Sequence, residues 1–264
     1  MRLELVSNPR LLIERLAELS RDHRRHRKLA NTPGAILPGW GLDYLELLEL
    51  LRPLSPQVIY DLGAHIGMWT VLAKSVFPSA VIHAFEPLEW HCLKFEDLTR
   101  GLPDVTLHRI ALGSTPSRRD MQVPNQGHSA SLLPLTTAGR ETYSLEHEQS
   151  VAVSVEQLDD FIHRYNLPAP NLMKLDIQGY ELEALRGSSN ALAGASAILT
   201  EVSFEAFYEG QCLFHELVGF LAEKHFHLVG LGAATPLGHP LSQADCLFVN
   251  ERYRSALRIV DRHP

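Results

Sequence analysis

The sequence predicts an α/β fold built on a mostly parallel sheet that ends in an antiparallel strand. Three observations predict it. Short apolar runs alternate with helical patterns through most of the chain, and only the last two runs lack a helix between them. The stretch VIYDLGAHIGMWTVLA, Val58 to Ala73, reads as strand, glycine turn and helix. Four expected strands run into an acid, namely Asp61, Glu86, Asp176 and Glu201. Ligands bind beyond the carboxyl ends of strands in open parallel sheets, so these acids mark a shared binding edge.

At 264 residues the chain holds one large α/β domain with a small N-terminal extension. We expect a helical extension over 1–52 and the main domain over 53–264. A formal charge of −7 argues against a global basic surface for nucleic acid. No apolar run approaches the ~20 residues a membrane span needs, and the N-terminus lacks a signal-peptide pattern. Cys92, Cys212 and Cys246 stand far apart without a C-x-x-C pair. Such usage argues against a disulfide framework and fits a cytoplasmic protein.

Residues 1–30 read as helix, because Leu11, Leu12, Leu16 and Leu19 recur at helical spacing. The basic cluster Arg21 to Lys28 reads as a solvated helix face, with a patch for an acidic partner as the other option. Asn31 to Gly41 is a Pro/Gly-rich linker or lid, and Leu42 to Leu51 a short apolar helix. After the first strand and its helix comes a strand over Val81 to Phe85, stopped by Glu86-Pro87, then a helix over Leu88 to Leu98. The third strand, Val105 to Ile110, leads into a turn at Ala111 to Ser114. Residues 115–150 break the alternation, with Met121 to Val123 as a candidate strand, and read as an irregular insertion that could serve as a binding loop. Val151 to Val155 alternates like a strand, and Val155 to Tyr165 reads as a helix. Later strands are Leu172 to Leu175, Ala197 to Thr200, Phe226 to Leu231 and Asp245 to Val249, with helices at Tyr180 to Arg186 and Phe214 to His225.

The turn after Asp61 is spaced G-x-x-x-G, from Gly63 to Gly67, where a dinucleotide fingerprint reads G-x-G-x-x-G. An acid followed by that turn is the pattern of S-adenosylmethionine-dependent methyltransferases. Glycines there allow close approach to backbone, and free amides at the helix start favour an electron-rich group. Asp61 would support the turn or the cofactor's amino-acid end. Glu86 is placed to accept both hydroxyls of a ribose. Ala111 begins a wall for adenine. Asp176 and Glu201 lie nearest the reacting centre, with three roles open: holding the cofactor's amino-acid group, acting as general base, or binding a divalent cation. Two acids do not specify a metal, and none is assigned. His128, in a small polar segment, is a third candidate base. His65, in the glycine turn, and His215 read as structural.

The segments IYDLGAHIGMWTVLAK, HAFEP, IALGS, MKLDIQGYELEALRG and ILTEVSFEAFYEG resemble the FkbM family of methyltransferases, over roughly residues 57–250. The resemblance implies a Rossmann-like class I methyltransferase domain over 53–264, with a seven-stranded, mostly parallel sheet and a C-terminal antiparallel strand. It implies S-adenosyl-L-methionine as cofactor, held by Asp61, Gly63, Gly67 and Glu86, with Asp176 at the fourth strand's tip. The family usually carries an acid where this chain has Gln178. The expected reaction is O-methylation of a hydroxyl on a sugar, glycan or natural product. The expected partner is such a small-molecule or glycan acceptor, with no nucleic acid and no membrane span, and a homo-oligomer stays open. Other readings are an NAD-dependent oxidoreductase, disfavoured by the turn spacing, a non-catalytic methyltransferase-like binding subunit, and a protein- or nucleic-acid-directed methyltransferase.

Overall fold

The computed structural model describes residues 9–124, 129–143, 147–234 and 241–257. Its strands are β1 Val58–Leu62, β2 Val81–Phe85, β3 Val105–His108, β4 Ala111–Leu112, β5 Ser117–Pro124, β6 His147–Glu156, β7 Leu172–Leu175, β8 Ala197–Ser203, β9 Phe226–Ala234 and β10 Gln243–Asn250. Its helices are α1 Pro9–Leu29, α2 Leu45–Leu50, α3 Met68–Val76, α4 Glu89–Leu98, α5 Thr137–Tyr143, α6 Leu158–Tyr165, α7 Glu181–Arg186, α8 Ser189–Gly194 and α9 Phe214–Glu223.

Seven strands form one sheet in the order β3-β2-β1-β7-β8-β10-β9. β1 pairs in parallel with both β2 and β7, and β10 runs antiparallel to β8 and β9. The strand order therefore reverses between β1 and β7, where such sheets open a crevice for ligands. Side chains alternate across the sheet and build a core on each face. Ile59, Ile82, Leu199 and Leu247 pack with Trp69 and Leu72 of α3 and with Leu37, Leu42, Leu45 and Leu48 of the N-terminal segment. Tyr60, Met173, Ile198 and Phe248 pack with α6 to α9. Among the described residues no helix is long and apolar enough to cross a membrane.

The seven-stranded, mostly parallel sheet with its antiparallel strand near the C-terminus matches expectation, and the local readings need five corrections. First, Asp61 and Glu201 lie inside β1 and β8, because pairing with β2 and β10 continues past them. Second, the third strand stops at His108, and Ala111–Leu112 is a strand pairing with Val155 and Glu156 of β6. Third, the described part of 115–150 holds regular elements: β5 extends the candidate strand Met121 to Val123 to Ser117–Pro124 and pairs antiparallel with β6 beside β4 in a second, three-stranded sheet, and α5 follows. Polar sequence hid that extension, because Ser117 to Asp120 are exposed and break the apolar alternation. Fourth, the helix expected from Val155 starts at Leu158, since Val155 and Glu156 belong to β6. Fifth, residues 31–41 contain two single-turn 3-10 helices, and Gly34 is buried with its amide donating to Ser75 Oγ at 2.7 Å. Within the basic cluster, Arg25 is buried against Asp43 at 2.9 Å and Glu46 at 2.7 Å, while Arg21, His23, Arg24, Arg27 and Lys28 are exposed.

Candidate active site

The site grows from a register relationship. Asp61 of β1 and Lys174 of β7 are partners in adjacent parallel strands, so both side chains point to the face covered by α3. Neither is more than 3 % exposed, and Lys174 Nζ lies 3.1 Å from Asp61 Oδ1. The other oxygen, Oδ2, accepts from Thr70 Oγ1 of α3 at 2.7 Å. Lys174 also donates to the Gly63 carbonyl at 2.8 Å and faces Asp176 Oδ2 at 3.9 Å. Burial pulls the ammonium's pKa down, but Asp61 and Asp176 more than offset it and hold it raised. Asp61 thus supports the glycine turn through Lys174. Lys174 was missed in the sequence; its signal was a lone cation in the apolar strand Leu-Met-Lys-Leu.

The turn differs from expectation in what its glycines do. Gly63 has φ 79°, and a Cβ there would stand 2.0 Å from the Asp176 carbonyl. A Cβ on Gly67, at φ 91°, would meet the Phe95 ring at 2.9 Å. Both glycines are required by packing within the protein. The turn's amides are engaged too: Gly63 and Ala64 donate to the Phe85 carbonyl, and His65 N donates to Glu86 Oε2 at 3.0 Å. Glu86 is buried, and its Oε1 accepts from Leu88 N at 2.9 Å with His91 Nδ1 at 3.3 Å.

Two contiguous clefts open at this edge. One carries the polar side chains His65, Glu86, His91, Asp176 and Gln178 in walls that are otherwise apolar, and we call it the polar cleft. The other is almost wholly apolar, with Phe85, Ile110, Ala111, Leu112 and Tyr180 among its walls. Gly63, Pro87, Met121 and Ile177 belong to both. This pair fits S-adenosylmethionine: an apolar slot for a flat base, a buried carboxylate for a ribose diol, and a second carboxylate for an ammonium group.

Beyond the polar cleft lies an acid-rich edge. Gln178 Nε2 donates to Asp176 Oδ1 at 2.8 Å and reaches Glu201 Oε2 at 3.5 Å, and Gln243 Nε2 donates to the same Glu201 oxygen at 2.8 Å. Asp245, opposite Glu201 in the register, accepts from Tyr44 of the N-terminal segment at 2.6 Å. Burial raises the Glu201 carboxyl well above the ordinary range, with Asp176 and Asp245 adding to it. Burial likewise raises Asp245 to about 7. Buried Glu181, which accepts from the amides of Ile177 and Gly179, is raised by burial to about 7. Sequence reasoning missed Tyr44, Gln243 and Asp245, whose partners lie far along the chain.

Of the expected site residues, Gly63, Glu86 and Asp176 line the first cleft and Ala111 the second, with Gly63 shared by both; Asp61 and Glu201, inside β1 and β8, and Gly67, at the start of α3, line neither. His128 lies outside the described residues. His65 stands in the polar cleft with its ring 4.1 Å from that of His91, and His215 is exposed on α9. Among the described residues no group of three or more His, Cys, Asp or Glu side chains is arranged as a metal site.

Sheet order, switch-point crevice and paired clefts define a class I methyltransferase fold. The profile of the methyltransferase FkbM domain matches residues 61–228, and the chain belongs to this family of S-adenosylmethionine-dependent methyltransferases. The hexuronic acid methyltransferase AglP of Haloferax volcanii is 26% identical over 162 residues, 61% of this chain and 61% of that protein. The 2-O-methyltransferase NoeI of Sinorhizobium fredii is 24% identical over 173 residues, 63% of this chain and 71% of that protein. The chain thus spans less than two thirds of the archaeal relative it matches. A solved FkbM methyltransferase from Methylobacillus flagellatus is similar at 18% identity with a TM-score of 0.49, covering 74% of this chain and 44% of that one.

Proposed function

We propose that the protein is an O-methyltransferase acting on a hydroxyl of a sugar, glycan or natural product. The observation that carries this reading is the polar cleft running from Glu86 to Asp176, beyond which Gln178 links Asp176 to Glu201. The two relatives support a sugar as acceptor, since one is a hexuronic acid methyltransferase and the other a 2-O-methyltransferase. S-adenosylmethionine, when bound, supplies a methyl group on a positively charged sulfur. Glu86 would hold the ribose hydroxyls, Ala111 and its neighbours the base, and Asp176 the amino-acid end. Both donors seen on Glu201 reach Oε2, so Oε1 is the oxygen left to take the acceptor's proton. His128 and Asp176 are the other candidate bases. In the balanced step the acceptor oxygen bonds to the methyl carbon, the carbon–sulfur bond breaks and the hydroxyl proton passes to the carboxylate. Holding donor and acceptor in line carries most of the rate. Free Cys92, Cys212 and Cys246 support a cytoplasmic setting.

Calorimetric titration of S-adenosylhomocysteine into the wild type, Glu86→Gln and Glu86→Ala tests the cofactor site. The expected result is binding by the wild type, weakened roughly 5- to 150-fold in Glu86→Ala, from about 1–3 kcal/mol for an unpaired buried contact. Incubation of labelled S-adenosylmethionine with neutral and uronic sugar glycans should then label a hydroxyl. No binding to the folded wild type, or label only on nitrogen or carbon, overturns the reading.

A further inference from the structure

Gln178 stands in a conformation that residues other than glycine rarely adopt, at φ 55°, directly after the β7 turn. Left-handed backbone is unfavourable for a non-glycine residue and persists only where its surroundings hold it. Here they do. Its carbonyl accepts from Ser131 Oγ at 2.6 Å, and the amides of Ile177 and Gly179 on either side donate to Glu181. The conformation aims the side chain across the edge of the sheet. Nε2 carries two hydrogens; Asp176 Oδ1 takes one at 2.8 Å, and the other is directed at Glu201 Oε2, 3.5 Å away. Tyr208 Oη lies 3.0 Å from Gln178 Oε1 and 2.9 Å from the Ser129 carbonyl, so its one hydrogen is shared between the amide's far side and that carbonyl. The opposite amide orientation would turn a carbonyl oxygen onto two carboxylates, so the neighbours themselves select this one.

From this geometry we infer that Gln178 is a positioning residue that bridges Asp176 and Glu201 and turns Glu201 Oε1 toward the acceptor. The inference rests on the proposed transferase reading for its purpose, though not for the bridge itself. A carboxylate at position 178 could not do this work: with no hydrogen to donate, it would add a third negative charge to the pair. Removing the amide takes a donor away from the charged form of Glu201 and should push its titration upward. Other groups set the background: Asp176 and Lys174 on β7, Asp245 on β10, Glu181 on α7, Tyr44 of the N-terminal segment and Tyr208 all face Glu201.

The test follows the carboxyl carbon resonances of protein carrying carbon-13-labelled glutamate across pH, with Glu201 assigned from Glu201→Gln. In the wild type Glu201 should titrate above the ordinary glutamate range. In Gln178→Met, which keeps the volume but has no donor, its midpoint should rise by a further half to one pH unit, roughly what one hydrogen bond is worth. Tyr208→Phe, which frees the amide's far side, should move it the same way by less. An unmoved Glu201 midpoint in folded Gln178→Met overturns the inference. Should that variant not fold, an unmoved midpoint in Tyr208→Phe does so. The readout needs no acceptor, so failure of S-adenosylhomocysteine to bind the wild type would remove the transferase reading while leaving the bridge decided by the titration.

Discussion

Asp245 of β10 stands directly across from Glu201 of β8 in the antiparallel register, so both carboxyls sit on the same side of the sheet. Like charges in that position repel, and burial adds to the cost of ionising either. Tyr44 reaches Asp245 from the N-terminal segment, which ties that segment to the site.

A stability prediction follows with a definite sign. Asp245 is raised by burial to about 7 in the folded protein, against an ordinary value of 3.8. A raised folded value means the fold favours the protonated form, so its contribution is complete below about pH 4 and lost as pH rises through 7. Asp245→Asn, which stays neutral, should unfold at higher urea than the wild type at pH 8, with the gap closing toward pH 5. An equal gap at both pH values would contradict it.

Lys174 and Asp61 make the opposite case, a buried pair of unlike charges. Lys174→Met leaves the Asp61 carboxylate, 0 % exposed, without its cation. Breaking such a pair costs about 3–5 kcal/mol. Urea unfolding should show a loss of that order, and the double replacement Asp61→Leu with Lys174→Met should recover part of it. Additive single effects would show that the two charges are not coupled.

Gly63→Ala and Gly210→Ala separate close packing from backbone strain. Both glycines have positive φ, 79° and 75°. A Cβ at position 63 meets the Asp176 carbonyl at 2.0 Å, while one at position 210 meets nothing within 4 Å. Gly210→Ala should cost about 1–2 kcal/mol from backbone conformation alone. Gly63→Ala should cost clearly more, and thermal melting of both variants checks the order.

His83 and His108 form a second pH-sensitive feature, away from the cleft. Their rings stack at 5.3 Å, and Nδ1 of His83 lies 3.1 Å from Nε2 of His108. Burial lowers His83, and burial together with His83 lowers His108 to about 4. The fold therefore favours the neutral rings, so their contribution is complete above about pH 6.5 and lost as pH falls toward 4. The urea midpoint of the wild type should drop between pH 7 and pH 5, and His108→Phe should flatten that drop. An equally steep drop in His108→Phe would place its origin elsewhere.

The sequence by itself determined the sheet and the edge at which the two clefts open. Runs such as Val58-Ile59-Tyr60 and Leu172 to Leu175 carry their strand character locally, and the turn from Gly63 to Gly67 declares itself by spacing. Asp61, Glu86, Asp176 and Glu201 were legible because each follows an apolar run. The second sheet was legible only in part: the alternation of Val151 to Val155 marked β6, whereas Ser117 to Asp120 of β5 are polar and exposed and take their place by pairing with β6. Lys174 with Asp61, Tyr44 with Asp245 and Gln178 with Glu201 were decided by tertiary structure alone. Those partners are separated by 113, 201 and 23 residues; the strand register brings Lys174 to Asp61, and the packing of the N-terminal segment and of the turn after β7 on the sheet brings the other two pairs within reach. Local sequence encodes which face a side chain takes; what it meets there depends on which strand lies alongside.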